Sequence, residues 1–299
     1  MAPLLRAQAS GPAALRALLA IAQETKQPIV LPGCYDALGA RLIEQAGFRA
    51  VYMTGFGTTA SLLGRPDVGL LGMTEMVDNA RRITSAVDLP VVADADTGYG
   101  NQINVIRTVQ QYEQAGIAGI HIEDQVLPKK CGHMENKQVV DANVMTAKIA
   151  AAAAARTDEN FVVIARTDAR AEHGLDEAIR RAASCAEAGA DVLFVEALQG
   201  EDEIERVAAE FSGTPLLFNW VEGGKTPPLT YDEIASLGYS IILMPIMTLL
   251  AATAAMQQAL AQLKESGTPA PFVSELMGFD DFTDLVGLPE INELEARFS

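Results

Sequence analysis

From Gln27 onward, short apolar runs rich in β-branched residues alternate with alanine-rich segments of helical period. Runs at 29–31, 50–53, 90–93, 119–122, 161–165, 191–195, 215–218 and 240–244 predict eight strands. Segments such as 37–46, 74–87, 102–115, 142–156, 175–188 and 202–210 predict helices, with Leu175, Ala178, Ile179 and Ala182 in the i, i+3, i+4, i+7 stripe. Several helices end in one phrase, as in Gln45-Ala46-Gly47 and Glu187-Ala188-Gly189, where glycine supplies a left-handed C-cap. Strands that are apolar along their whole length, each followed by a helix, imply a parallel sheet covered by helices. Eight such repeats predict an α/β fold of the (β/α)8 TIM-barrel class. A doubly wound sheet is the alternative, weakened because Pro32-Gly33-Cys34-Tyr35-Asp36 after the first strand is no glycine-rich phosphate fingerprint.

The chain then divides into an N-terminal helix (1–26, with Leu15, Leu18, Leu19 and Ala22 on one face), a barrel (27–265) and a helical extension (266–299). In the extension Phe272, Leu276, Met277, Phe279, Phe282, Leu285 and Val286 are too apolar for a free tail. They pack on the same barrel or exchange with a partner subunit.

Composition narrows the class. Nearly half of the 299 residues are hydrophobic and the net charge is −17, which argues against a nucleic-acid backbone or an anionic membrane surface as partner. A small anionic substrate stays compatible, since a few cations in a pocket outweigh a distant acidic surface. Cys34, Cys131 and Cys185 form neither a disulfide framework nor a zinc motif, so a reducing, cytoplasmic setting is expected. No signal peptide or membrane-spanning run is read.

Candidate chemistry collects at the C-terminal strand ends, where barrel enzymes keep their active sites. Tyr52, Thr54, Gly55 and Phe56 follow the second strand, and the next loop carries Asp67. Asp94 and Asp96 end the third strand, Glu123 the fourth, Arg166 the fifth, Glu196 the sixth and Asn219 the seventh. Carboxylates gathered like this repel unless a cation compensates. Asp94, Asp96, Glu123 and Asp67 make an all-oxygen set suited to Mg²⁺ or Mn²⁺. No His/Cys set suits zinc: His121 alternates away from Asp124, beside Glu123, and His173 is read in a loop. The glycines at 55 and 57 offer backbone N–H groups to an anion, and Arg166 suits a substrate carboxylate. The stretch 124–140 is long and non-repetitive, as a gating loop would be. It carries Lys129-Lys130-Cys131-Gly132-His133, whose cations favour a reactive thiol. A basic surface turn is the plainer alternative.

These motifs, with Asp94-Ala95-Asp96-Thr97-Gly98, His121-Ile122-Glu123-Asp124-Gln125 and Ala165-Arg166-Thr167-Asp168, resemble the isocitrate lyase/phosphoenolpyruvate mutase superfamily, in order from about Pro32 to Thr253. The resemblance implies C-terminal helices swapped between subunits in a dimer of dimers (a homotetramer), and a Mg²⁺-bound 2-oxo or 2-hydroxy acid. It makes Asp94 the direct metal ligand, with Asp96, Glu123 and Asp67 in support, and Tyr52, Thr54, Gly55, Phe56 and Arg166 the holders of substrate. Glu196 and Asn219 border the same site. Cys131 becomes the general acid of the C–C lyases, with Lys129 and His133 tuning it, and the base is left between Tyr52 and Asp67.

The Lys-Lys-Cys-Gly-His loop favours lyases, or oxaloacetate hydrolases, over phosphonate-type mutases. The chain is too short for isocitrate lyase proper. Val221, where methylisocitrate lyases tend to place a hydroxyl, and the run Leu243 to Met247 favour a 2,3-dimethylmalate-like substrate over 2-methylisocitrate. The expected reaction is cleavage of such an acid to pyruvate and a second carboxylic acid. Oxaloacetate hydrolysis to oxalate and acetate, and a non-catalytic dicarboxylate-binding barrel, are the alternatives.

Overall fold

A computed structural model describes residues 4–5, 11–132 and 137–299. Eight parallel strands form the barrel: β1 Ile29–Cys34, β2 Val51–Met53, β3 Val91–Asp94, β4 Gly119–Glu123, β5 Val162–Thr167, β6 Val192–Val195, β7 Leu217–Asn219 and β8 Ile241–Met244. Each pairs with its chain neighbour from β1 to β6, and β8 pairs with both β1 and β7. The last seam closes through a parallel bridge, Leu193 to Leu216, where Leu193 N–H donates to Pro215 O at 3.0 Å. The strand expectations hold to within two residues at each end, except that β1 runs three residues further, to Cys34.

Period-two alternation explains the layering. Leu31, Tyr52, Val92, Ile164, Phe194 and Leu243 point inward and form one buried cluster. The intervening residues face outward and form a larger cluster with the helices. Helix α1, Gly11–Thr25, plugs the N-terminal end of the barrel with the face read from the sequence: Leu15, Leu18, Leu19 and Ala22 join the inner cluster. Arg16 and Arg156 both pair with Asp191 at 2.8 Å, pinning that end.

The remaining helices are α2 Ala37–Gln45, α3 Gly55–Leu63, α4 Met73–Ala86, α5 Gln102–Gln114, α6 Ala142–Ala155, α7 Ala169–His173, α8 Leu175–Glu187, α9 Glu201–Glu210, α10 Tyr231–Ser236, α11 Met247–Ser266, α12 Phe279–Leu285 and α13 Leu288–Phe298. Three of them correct the sequence reading. The Gly55-Phe56-Gly57 turn is the first turn of α3, capped by Thr54, whose Oγ1 accepts from Gly57 N–H at 3.2 Å. His173 ends α7 rather than lying in a loop. Met247 opens α11, so of the run Leu243 to Met247 only the first two residues belong to β8, which ends at Met244 as expected.

The extension differs more. No residue of α11, α12 or α13 is buried, and Phe279 is 80% exposed. Of the apolar residues named from the sequence only Phe272 is buried; Met277 and Leu285 border a cavity with Arg41, Glu44 and Gln45 of α2, and most of the arm's apolar side chains stay exposed. Among the described residues no helix is long and apolar enough to cross a membrane.

Candidate active site

The inward faces of the strands continue two residues beyond the apolar interior, and there they turn polar. Val92 is followed by Asp94, His121 by Glu123, Ile164 by Arg166, Phe194 by Glu196 and Leu217 by Asn219. These side chains meet at the barrel mouth in a cavity of about 60 Å³, also lined by Tyr52, Thr54, Phe56, Asp67, Lys129, Lys130, Cys131 and Gly132. Val221, Leu243, Pro245 and Ile246 give the cavity one apolar wall. The expected site residues thus converge, Cys131 included, half-buried and outside any disulfide. His133 lies outside the described residues.

Asp94 sits at the centre. Its Oδ1 accepts from Asp96 N–H at 2.9 Å, and its carbonyl accepts from the buried Tyr112 hydroxyl at 2.9 Å. A Cβ on Gly55 would collide with Asp94 Oδ2, so only glycine lets the N-terminus of α3 approach this carboxylate. Burial raises the pKa of Asp94, but His121, Lys129 and Arg166 together with the Asp96 N–H overcome it and hold the carboxyl below its usual range. Asp96 arrives by a different route from the one expected. β3 ends at Asp94, and Asp96 bends back with φ +48, so strand alternation does not place it.

Lys129 is the cation of this half-site. Its ammonium lies 2.7 Å from Asp67 Oδ2 and 2.6 Å from Asp96 Oδ1, fully inside the protein. Burial opposes its charge, yet the surrounding carboxylates raise its pKa well above the ordinary lysine value. Lys129 is therefore an anchor between loop and barrel, whereas the sequence reading gave it only a tuning role beside the thiol.

Arg166 organises the other half. It grips Asp168 with Nε to Oδ2 at 3.0 Å and Nη2 to Oδ1 at 3.1 Å. Glu196 and Glu123 lie at 3.3 and 3.4 Å, and Phe194 stacks beneath the guanidinium at 5.1 Å. Asn219 Nδ2 donates to Glu196 Oε2 at 3.0 Å. Asp168 was visible as part of the Arg-Thr-Asp motif but carried no assigned role.

His121 is the residue that sequence reasoning left out. It shares its strand face with Glu123, and its Nε2 lies 2.6 Å from the Tyr52 hydroxyl and 3.6 Å from Asp94 Oδ1. The signal was available in the i, i+2 spacing from His121 to Glu123. Complete burial pulls the imidazole down to about 4, against the opposing charge of Asp94. Because the folded pKa is depressed from 6.5, the unfolded chain takes up this proton first as pH falls. The stability linked to neutral His121 is complete above pH 6.5 and is lost as pH drops toward 4, about 3 kcal/mol at 1.4 kcal/mol per unit. Urea unfolding at pH 7, 5.5 and 4.5 should show this slope in the wild type and a flatter one in His121→Gln. Identical slopes would rule out this histidine as the group.

The charge inventory bears on a metal. Six carboxylates (Asp67, Asp94, Asp96, Glu123, Asp168 and Glu196) are buried here against three cations, Lys129, Lys137 and Arg166. Burial first, and then neighbouring acids, push Asp96 up to about 7 and Glu123 well above its usual range despite the nearby cations. Glu123 Oε1 and Asn219 Oδ1 are buried with no hydrogen-bond partner among the described residues. An excess of oxygen ligands, some unsatisfied, fits a hard divalent cation. Among the described residues no group of three or more His, Cys, Asp or Glu side chains is placed to hold a metal ion by itself.

Fold and site together define a (β/α)8 barrel with an acidic centre, a pocket arginine and a thiol-bearing loop at its mouth. The chain belongs to the phosphoenolpyruvate phosphomutase family, whose model matches residues 18–264. It is 48% identical over 275 residues to a 2,3-dimethylmalate lyase of Eubacterium barkeri, covering 92% of this chain and 95% of that one. It is also 45% identical to the chloroplastic carboxyvinyl-carboxyphosphonate phosphorylmutase of Arabidopsis thaliana (91% and 81% covered). A probable 2-methylisocitrate lyase of Corynebacterium glutamicum is 43% identical (89% and 87%). Among solved structures, a 2,3-dimethylmalate lyase superposes with TM-score 0.91 at 39% identity, covering 98% and 97% of the two chains. An oxaloacetate acetylhydrolase gives 0.89 at 38% (96% of each), and a phosphonopyruvate hydrolase bound to oxalate and Mg²⁺ gives 0.87 at 33% (97% and 99%).

Proposed function

We propose that this protein is a carbon–carbon lyase that cleaves a 2-alkylmalate, with 2,3-dimethylmalate the leading candidate, to pyruvate and a second carboxylic acid. The observation that carries the reading is one cavity lined by Cys131, by Asp94, Glu123 and Arg166, and by the apolar wall of Val221, Leu243, Pro245 and Ile246. The wall suits an alkyl substituent, the cation and acid–metal end suits the hydroxy-acid head, and the thiol suits a proton donor. The names of the relatives with 48% and 43% identity support it.

Asp94 would hold Mg²⁺ directly, with Glu123, Asp96 and Asp67 contributing through water. When bound, the ion supplies Lewis-acid stabilisation of negative oxygen on the substrate. Thr54 with the N–H groups of Gly55 and Phe56, and Arg166, take the substrate's anionic oxygens, with Glu196 and Asn219 fixing the arginine. Tyr52 takes the C2 hydroxyl proton while passing its own phenol proton along the 2.6 Å hydrogen bond to the Nε2 of neutral His121, since burial keeps the phenol protonated. Asp67 is the weaker base because Lys129 occupies its carboxylate. As the C2–C3 bond breaks, its electron pair moves into the carboxylate of the departing half, and Cys131 delivers its thiol proton to that carbon. His121 then returns its proton through Tyr52 and Cys131 regains one, both by exchange with water. The stretch 124–140 acts as the gate that brings Cys131 in.

A screen for pyruvate release across malates alkylated at C2 and C3, with Mg²⁺, tests the assignment. Oxalate and acetate from oxaloacetate, without pyruvate from any malate, would replace it with hydrolysis. The exposed apolar arm α11–α13 would be covered by a second copy, with exchanged helices in a dimer of dimers. Sedimentation equilibrium should then return a multiple of 31.8 kDa, and a single-chain mass would exclude this assembly.

A further inference from the structure

The loop bearing Cys131 is tied down by a residue with no part in the chemistry above. Lys137 lies on the returning limb, next to the antiparallel bridge between Gln125 and Val139 that closes the loop's base. A loop lysine ordinarily reaches into water. This side chain is 1% exposed, a desolvation that only charged or strongly polar partners offset. Its Nζ lies 2.6 Å from Asp168 Oδ1 and donates to the main-chain carbonyl of Gly132. Asp168 Oδ1 also accepts from Arg166 Nη2, so one carboxylate oxygen serves a pocket arginine and a loop lysine at once. Gly132 rests directly on that assembly: a Cβ there would collide with Arg166 Nη2 and the Glu196 carboxylate.

We propose that Lys137 is a positioning residue that, by bridging Asp168 and the Gly132 carbonyl, holds Cys131 over the pocket and couples the loop's closed position to Arg166. The proposal rests on the lyase reading, since it concerns placement of that reaction's proton donor. The neighbouring contacts define the part Lys137 plays. On the other side of Cys131, Gln125 clamps the backbone of Lys130, donating to its carbonyl at 2.8 Å and accepting from its N–H at 2.9 Å. Cys131 is thus bracketed, one flanking residue fixed by Gln125 and the other by Lys137. Gln125 belongs to the outgoing limb; Lys137 joins the returning limb to the tip and to the barrel. Asp168 is itself immobile, because its N–H donates to Asp124 at 2.8 Å and Asp124 pairs with Arg181 at 3.0 Å. An anchor on a fixed carboxylate transmits strand geometry to a thiol whose useful range is a few tenths of an ångström.

The test compares wild type with Lys137→Ala and Lys137→Met in two assays. In pyruvate release, kcat should fall by about a hundredfold with KM within threefold, because binding groups are kept and proton delivery is not. Ethylammonium should restore part of kcat in Lys137→Ala and none in Lys137→Met, which fills the space. In the second assay, iodoacetamide labels Cys131, located by peptide mapping, with and without oxalate plus Mg²⁺. Protection should be at least tenfold in wild type and under twofold in the variants. A kcat within threefold of wild type, or a lower kcat with protection retained and no rescue, overturns the proposal. If wild type releases pyruvate from no malate, the lyase reading has failed, and the labelling assay alone decides the bridge. Should Lys137→Ala not fold, Lys137→Met carries the labelling test.

Discussion

Replacing Cys131 by alanine is expected to lower turnover of the malate substrate by about a thousandfold, equivalent to about 4 kcal/mol of barrier, with KM within a few fold. The asymmetry follows from where the thiol stands. Arg166, Thr54, Asp94 and Cys131 line one cavity; in the proposed reaction the first three would take the ends of the substrate, and Cys131 would touch only what forms when the C–C bond breaks. Losing it removes proton delivery to carbon and leaves binding nearly intact. Run in D₂O, wild type should place one deuterium on the departing acid with a single handedness, read by NMR. The variant's residual reaction takes its proton from water and should scramble that centre. Cys34 and Cys185 provide internal controls, since burial pushes the thiol of Cys34 up strongly and that of Cys185 to about 12, and neither faces the cavity. Wild-type turnover in Cys131→Ala would remove the thiol from the mechanism.

The barrel was legible because its strands are buried on both faces, so each reads as an unbroken apolar run whose end residue falls into the mouth by alternation alone. Asp94, Glu123, Arg166, Glu196 and Asn219 were all accessible to that argument. His121 was equally accessible and was lost only by measuring its alternation against Asp124 and not Glu123. Asp96 was found for an incomplete reason, since its position depends on a φ of +48 beyond the strand end. Lys129 and Lys137 were not legible in the roles they take. A lysine in a loop has no periodicity to aim it, and its burial arises from partners 31 to 62 residues away or a nearby main-chain carbonyl, contacts that exist only once the loop has folded over the barrel. The apolar arm was recognised as needing a surface, but which surface depends on whole-molecule geometry, and its own barrel buries only Phe272 of the apolar residues named.

Converting Asp94 to asparagine should abolish Mg²⁺ dependence and lower kcat/KM by a thousandfold or more. The substitution keeps shape, and its single amide oxygen still accepts from the Asp96 N–H with the amide nitrogen turned toward Gly55, while the charge that would hold the ion is gone. Asp94 is the right residue for this test because nearby His121, Lys129 and Arg166 keep it ionised against burial, whereas Asp96 and Glu123 drift toward their protonated forms without a dication. A carboxylate held charged, with Glu123 Oε1 unsatisfied beside the same cavity, is what an ion with a largely aqueous shell requires. Chelating the metal from wild type with EDTA should reproduce the loss, and adding EDTA to Asp94→Asn should change nothing further. Thermal melting separates a binding defect from a folding one: oxalate plus Mg²⁺ should raise the Tm of wild type and leave that of the variant unmoved, with similar values when both are absent. An Asp94→Asn protein that keeps wild-type half-saturation by Mg²⁺ would transfer the metal to other carboxylates, Glu123 first among them.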